Sequence, residues 1–332
     1  MSAPRLEVTD LAASYVAGGF FRSGRRRVYA VNGVSFALGA GETLGLVGES
    51  GSGKTTLARV ILRLTPASGG QVRFEGTDLL SLDREGLRAI RRRMQVVFQD
   101  PYSSLDPRMR VGETVAEGLL IHRLVPRREA PARVAELLDE VGLPPALAER
   151  FPHELSGGQR QRIGIARALG VDPSLVICDE PVSALDVSVQ AQVLALLATL
   201  QRTRGLSFLF IAHDLAVVRQ IAHRIAVMYF GRIVELAPAD ELVANPRHPY
   251  TVALISAVPE PDPDRRGERI VLEGDPPAPT LLPRGCPFAP RCFHARKDAR
   301  CEREHPELRP VAGTLVACHH AEVDARPLTP YP

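Results

Sequence analysis

Three strings in this chain have the residue types and spacing to handle a phosphorylated ligand. Gly48-Glu49-Ser50-Gly51-Ser52-Gly53-Lys54-Thr55 fits G-x-x-x-x-G-K-[ST], a loop that wraps phosphates with backbone N–H groups. Gly48, Gly51 and Gly53 let the backbone approach the anion closely. The helix expected to follow starts at the phosphates and presents its positive end. Lys54 adds a point charge that can bridge the β- and γ-phosphates of ATP, and the Thr55 hydroxyl is placed to ligate Mg²⁺. Nucleotide contacts are therefore expected from Gly48, Glu49, Ser50, Gly51, Ser52, Gly53, Lys54, Thr55 and Thr56. The second string, Leu155-Ser156-Gly157-Gly158-Gln159, opens another helix and offers a second set of free N–H groups. In the third, the apolar run Leu175-Val176-Ile177-Cys178 ends in Asp179-Glu180. A carboxylate at the end of a parallel strand sits at the crevice where such sheets bind ligands. Asp179 is expected to hold Mg²⁺, directly or through water, and Glu180 to face the γ-phosphate. By chance the first string arises in roughly 1 chain in 100 of this length, and the second in on the order of 1 in 2,000. Both together, in this order, are not accidental.

These strings need elements to position them. Thr43–Val47 is a short apolar run between Gly41 and Gly48, expected as a buried parallel strand before the phosphate loop. Lys54–Leu64 reads as a helix stopped near Pro66. Gln95–Phe98, Leu175–Cys178, Phe208–Ala212 and Ile225–Met228 read as further strands. Leu6–Val8 and Val31–Ala37 alternate as strands of a small antiparallel sheet. Val115, Leu119, Val134, Leu137, Leu138 and Val141 recur at helical spacing and mark a helical insert over residues 111–150. Gln159–Leu169 and Ser188–Arg202 read as helices, the latter with Val189, Val193, Leu196, Leu197 and Leu200 on one face. Strand–helix alternation with long crossovers predicts an α/β fold, a mainly parallel sheet with helices on both faces.

Composition narrows the class. The 332 residues carry a net charge of +3, too mild for a nucleic-acid binder, which concentrates basic charge on one face. Arg25-Arg26-Arg27 and Arg91-Arg92-Arg93 read as solvated faces, with contact to lipid headgroups or an acidic partner as the other reading. Met1–Asp10 lacks a basic segment followed by an apolar run, so no secretory signal is expected. No apolar stretch reaches the roughly 18 residues that span a bilayer, so a cytosolic chain with separate membrane partners is expected. A reducing compartment disfavours disulfides.

The glycine loop, the Leu155–Gln159 string and the Asp179-Glu180 strand end together resemble the nucleotide-binding subunit of an ATP-binding cassette (ABC) transporter, over most of residues 5–250. The resemblance implies a P-loop NTPase core of RecA type, a small antiparallel β-subdomain and a helical subdomain over about 100–160. It makes Glu180 the general base for the attacking water. Gln99, in Phe98-Gln99-Asp100-Pro101, matches the glutamine that contacts Mg²⁺ and that water, then leads to the transmembrane contact near residues 100–120. A lone histidine after an apolar strand is more often packed than catalytic. His213, in Ile211-Ala212-His213-Asp214, nonetheless matches the family's γ-phosphate switch. Tyr15 stands about where an aromatic stacks on adenine, with Phe20, Phe21 and Tyr29 as competitors. Ser156, Gly157, Gly158 and Gln159 match the string that binds the γ-phosphate held by another subunit. Ser183-Ala184-Leu185-Asp186 matches the loop crossing that interface. Two cassettes then pair head to tail, as a homodimer or a heterodimer, and trap ATP between them. Hydrolysis removes the γ-phosphate that bridged them, and the pair opens.

After Tyr250 the composition turns Pro-rich, and Cys286, Cys292, Cys301 and Cys318 follow at spacings without C-x₂₋₄-C. Residues 251–332 are read as a C-terminal appendage. His248-Pro249-Tyr250-Thr251, Glu273-Gly274-Asp275-Pro276 and Cys286-Pro287-Phe288-Ala289-Pro290-Arg291-Cys292 resemble the C-terminal extension of oligopeptide/dipeptide permease ATPases. That resemblance implies a four-iron, four-sulfur cluster on the four cysteines, with zinc or no metal as alternatives and His319 or His320 as substitutes for Cys318. Cys178 reads as a small core residue. The implied protein is a peripheral ATPase at the cytoplasmic face of the membrane, energising a peptide-type importer with membrane permeases and, indirectly, an extracytoplasmic binding protein. Nucleic acid is not an expected partner. The alternative is a non-transport cassette of the DNA-repair or translation-factor type. The cargo stays open among dipeptides, oligopeptides, nickel chelates and sugars.

Overall fold

A computed structural model describes residues 3–17, 26–100, 104–258 and 269–322. Along the chain run β1 (Leu6–Ala17), β2 (Arg26–Leu38), β3 (Thr43–Val47), α1 (Lys54–Ile61), β4 (Gly69–Phe74) and β5 (Thr77–Asp78). Then come α2 (Arg84–Arg93), β6 (Met94–Val97), α3 (Val111–Ile121), α4 (Ala130–Glu140), α5 (Gly157–Leu169), β7 (Leu175–Asp179), α6 (Val187–Arg204) and β8 (Ser207–Ala212). The remainder holds α7 (Leu215–Arg219), β9 (Arg224–Tyr229), β10 (Arg232–Pro238), α8 (Ala239–Ala244), α9 (Pro249–Ser256), α10 (Ala299–Arg303), β11 (Arg309–Val311) and β12 (Thr314–Val316). The chain forms two compact units. Of the described residues, one holds those up to Arg5, Leu38–Thr43 and those of Ser81–Ile211; the other holds those of Leu6–Ala37, Leu44–Leu80 and those from Ala212 on.

The first unit is built on β6, β7 and β8, paired in parallel. All residues of β7 and β8 are buried, as expected of strands covered on both faces. The crossover from β6 to β7 carries the helical insert. There Val115, Leu119, Val134, Leu137, Leu138 and Val141 are all buried, so the helical spacing of these residues does mark a core. Cys178 is buried too, and burial raises its thiol pKa. α6 buries Val193, Leu194, Leu197 and Leu200, while Val189 and Leu196 are half-buried. In α2 no side chain is buried, and Arg91, Arg92 and Arg93 lie exposed in its last turn, where cations suit a helix C-terminus. Arg25 lies outside the described residues.

The second unit holds two sheets. One has the order β2-β1-β4-β5 and includes the antiparallel pair β1–β4. In the other, β3 pairs in parallel with β9, and β9, β10, β12 and β11 continue antiparallel. Strand β3 is buried at all five positions and feeds the glycine loop that opens α1. Residues 309–316 thus extend a sheet through β10. β1 and β2 are longer than the alternation at Leu6–Val8 and Val31–Ala37 suggests: in β1 a register shift between Thr9 and Ala12 breaks the period before buried Leu11 and Ala13, and in β2 the first five residues are only half-buried or exposed.

Candidate nucleotide site

Local backbone shape sets the glycine loop. Gly53 has φ +107, and a Cβ there would lie 2.1 Å from the Ala30 carbonyl oxygen. At Gly48 a Cβ would lie 2.1 Å from the Met228 carbonyl oxygen. Main chain from two other strands therefore closes on the loop, and no side chain fits. Lys54 is buried, and its Nζ donates to the carbonyls of Gly48 (2.7 Å) and Glu49 (3.0 Å). Thr55 and Thr56 are half-buried in the first turn of α1. Gly51 has φ +80 with open space where a side chain would stand. Tyr15 is 47% exposed near the far end of β1; of its competitors, Phe20 and Phe21 lie outside the described residues. His213 follows β8 and is exposed; the next residue, Asp214, caps α7 by accepting from the Ala216 N–H at 2.8 Å.

In the first unit, β7 delivers Asp179, buried at its end, and Glu180, the next residue. Glu180 adopts φ +49, a left-handed conformation uncommon for a residue with a side chain, and its N–H donates to Ile211 O at 2.9 Å. Such strain clusters where a side chain must be aimed. The Gln99 amide donates to the Glu180 carboxylate at 2.9 Å, joining two residues 81 positions apart. Pro101 and Tyr102, which follow Gln99, lie outside the described residues.

The Leu155–Gln159 string is a helix start held from both sides. The Ser156 Oγ accepts from the Gln159 N–H at 3.3 Å, and the Gln159 side chain accepts from the Ser156 N–H at 2.9 Å. This capping box begins α5 at Gly157, two residues earlier than the periodicity suggests. Buried Arg160 donates to the carbonyls of Pro152 (2.6 Å) and Leu155, fixing the approach to the cap. Gly157 packs on Leu185, in the turn before α6, and Gly158 on Val189 of α6; a Cβ would lie 3.3 Å from the first and 2.5 Å from the second. Asp186 caps α6, its carboxylate accepting from the Ser188 hydroxyl (2.7 Å) and the Val189 N–H (3.0 Å). Those bonds hold its carboxyl below the usual range. Ser156→Ala should lower the unfolding free energy by about 1 kcal/mol, read as a lower denaturant midpoint, because one N–H of α5 loses its acceptor.

The four cysteines of the C-terminal region converge. Cys286, Cys292, Cys301 and Cys318 line one small cavity with His248, His294, His319 and His320. No disulfide joins any cysteine. Burial pushes Cys286 up to about 12 and Cys292 up to about 11, with neighbouring thiols adding to both, and raises Cys318 as well. Such thiols keep their protons at neutral pH until a cation displaces them. Four zinc-bound thiolates would sit about 3.8 Å apart, from Zn–S bonds of about 2.3 Å in a tetrahedron. Among the described residues no three thiols have their sulfurs within 4.8 Å of one another; the one group that tight joins Asp298, Cys301 and His320. Four thiols with imidazoles beside them at one cavity are a donor set that suits a thiophilic metal group. The sequence spacing does not reveal this convergence.

Residues 31–183 match the family model described as "ABC transporter", and residues 234–301 match "Oligopeptide/dipeptide transporter, C-terminal region". The chain is 53% identical over 321 residues to the Sinorhizobium fredii protein named "Probable peptide ABC transporter ATP-binding protein y4tS", covering 96% of this chain and 90% of that one. It is 47% identical over 325 residues to the dipeptide transport ATP-binding protein DppF of Escherichia coli, covering 98% and 96%. Among solved structures, cbiO1 from Clostridium perfringens, part of the ABC transporter complex cbiONQ, matches with a TM-score of 0.64 at 27% identity, over 73% of this chain and 92% of that one. A dimeric ATP-binding cassette in a post-hydrolysis state with ADP and Pi matches at 0.62 and 28%, over 70% and 98%. The chain is thus an ATP-hydrolysing, ATP-binding member of the ABC transporter family, in the branch that carries the oligopeptide/dipeptide transporter C-terminal region.

Proposed function

We propose that this chain energises a peptide importer by ATP-driven pairing with a second cassette. The observation that carries the catalytic part is the Gln99–Glu180 hydrogen bond on a residue held at φ +49. Gly48 to Thr56 receive the triphosphate, Thr55, Gln99 and Asp179 hold Mg²⁺, and Glu180 takes the proton of the attacking water. His213 contacts the γ-phosphate, and Tyr15 stacks on adenine. Ser156, Gly157, Gly158 and Gln159 cover the γ-phosphate of the mate, with Asp186 on the loop between the two. The peptide cargo rests on the names of the S. fredii and E. coli relatives. Those names also favour transport over a repair or translation role. Membrane permeases complete the machine, so the subunit works at the membrane surface. No described helix is long and apolar enough to cross a bilayer.

Ser156→Asp separates the helix cap from the proposed trans contact. Aspartate caps a helix as well as serine does, so the fold and monomeric ATP binding should survive. Its charge would meet the mate's γ-phosphate. MgATP-dependent pairing, read by light scattering in a Glu180→Gln background, should vanish; pairing at the parent level would remove this string from the interface.

The finer reading of the thiol site is a four-iron, four-sulfur cluster on Cys286, Cys292, Cys301 and Cys318. Such a cluster would supply an inorganic core to which three loop positions and one helix, α10, are bonded. Protein purified without oxygen should be brown, with iron and acid-labile sulfide, and Cys286→Ser should bleach it. Colourless protein with stoichiometric zinc would replace the cluster with a zinc site.

A further inference from the structure

Glu49 is an acid inside a loop meant for anions. In water a carboxylate beside a triphosphate weakens binding through like-charge repulsion. Here the Glu49 carboxylate is taken up by Arg291, whose two Nη atoms donate to the two oxygens at 2.8 and 3.2 Å. The Arg291 side chain is only 8% exposed. Its guanidinium lies 6.0 Å from the ring centroid of Tyr229. The backbone of Glu49 is held as well: its N–H donates to the Tyr250 hydroxyl at 2.8 Å, and its carbonyl accepts from Lys54. Tyr229, Tyr250 and Phe288 form one aromatic cluster, with centroids 4.6 to 5.5 Å apart. Arg291 itself ends a short turn, Ala289–Arg291, that lies between Cys286 and Cys292. The Ala289 N–H donates to Cys286 O at 3.0 Å, and the Cys292 N–H donates to Ala289 O at 3.3 Å.

We propose that Arg291 and Tyr250 are positioning residues for the phosphate loop, and that the turn bearing Arg291 ties nucleotide affinity to the integrity of the thiol site. The fork of Arg291 cancels the Glu49 charge and fixes the first half of the loop, so the loop meets the nucleotide already shaped. Disturbing Cys292 shifts the adjoining guanidinium and reaches Glu49 with no contact between thiol and nucleotide. The inference rests on Gly48 to Thr56 being the nucleotide cradle.

Full-length protein is titrated with MgATP by equilibrium fluorescence, with unfolding midpoints measured in parallel. Arg291→Gln should raise Kd about 10-fold, because the half-buried Glu49 carboxylate loses its counter-charge beside the triphosphate. Adding Glu49→Gln to Arg291→Gln should recover most of that affinity, which a purely structural role for Arg291 would not allow. Cys292→Ser should raise Kd in the wild-type background and leave it unchanged in the Arg291→Gln background. If Arg291→Gln does not fold, Arg291→Lys, which keeps the charge without the fork, takes its place with an expected rise of about threefold. Wild-type affinity in the Arg291 variant, no recovery on adding Glu49→Gln, or additive losses with Cys292→Ser would overturn the proposal. Wild-type protein that fails to bind MgATP, or binds it equally well after Lys54→Ala, would instead sink the nucleotide-cradle reading.

Discussion

Glu180→Gln should hold MgATP with near-native affinity and lose turnover by about 10² to 10⁴, the span general bases usually contribute. In barrier terms that is about 3 to 5 kcal/mol. The glutamine keeps the size of the side chain and can still meet the Gln99 amide, which donates to Glu180 at 2.9 Å in the native chain. What it cannot do is accept the proton of the attacking water. Steady-state phosphate release and equilibrium nucleotide binding, measured on one preparation, separate the two effects. Turnover at the native rate would take Glu180 out of the reaction. The same variant should accumulate as an ATP-loaded pair, because nothing removes the phosphate proposed to bridge the two copies.

Gly53→Ala should be the most damaging single methyl addition in the phosphate loop. The backbone there sits at φ +107, outside the region that residues with a Cβ occupy comfortably. The added carbon would stand 2.1 Å from the Ala30 carbonyl oxygen, far closer than a non-bonded contact allows and against main chain that has no rotamer to change. The loop must move, and with it the start of α1. Strain of this kind costs of order 1–3 kcal/mol before the clash is relieved. Thermal unfolding should shift downward and MgATP binding should be lost together. A variant with native affinity would mean that the loop shape is not set by its approach to β2.

Much of the chemistry is legible in the amino-acid order because short-range spacing carries it. The glycine loop and the Ser156 cap are local, and strands such as Thr43–Val47 and Leu175–Asp179 are buried at every position, so apolarity alone reveals them. The β10 strand is less legible. Its run Arg232-Ile233-Val234-Glu235-Leu236-Ala237-Pro238 is broken by Glu235, which is fully buried. That carboxylate accepts from the N–H groups of Arg247 and His248, both at 2.9 Å, so a charged residue stands where a core residue would be expected. The two short strands that continue this sheet, β11 and β12, have three residues each, too few for a period to register. Convergence of the four cysteines is equally invisible in their spacing, since it depends on loops meeting in space. His248 illustrates the same limit. As a residue between Arg247 and Pro249 it looks like a turn residue. In the fold its Nδ1 accepts from the Tyr250 N–H at 3.1 Å, and burial brings its pKa down to about 3.

The connectivity of the two units has a consequence for biosynthesis. Residues 81–211 form most of one unit as an unbroken stretch, whereas the other is assembled from segments on either side of it. On a ribosome the inner stretch emerges whole and can bury its strands early, while the glycine loop waits for partners still unmade. Met228, whose carbonyl closes on Gly48, follows 180 positions later, and the pairing of Glu235 with Val316 comes only near the end. Truncated chains that end before residue 224 and are released from the ribosome should therefore protect the Gln99–Glu180 half against protease and leave the phosphate loop open to cleavage.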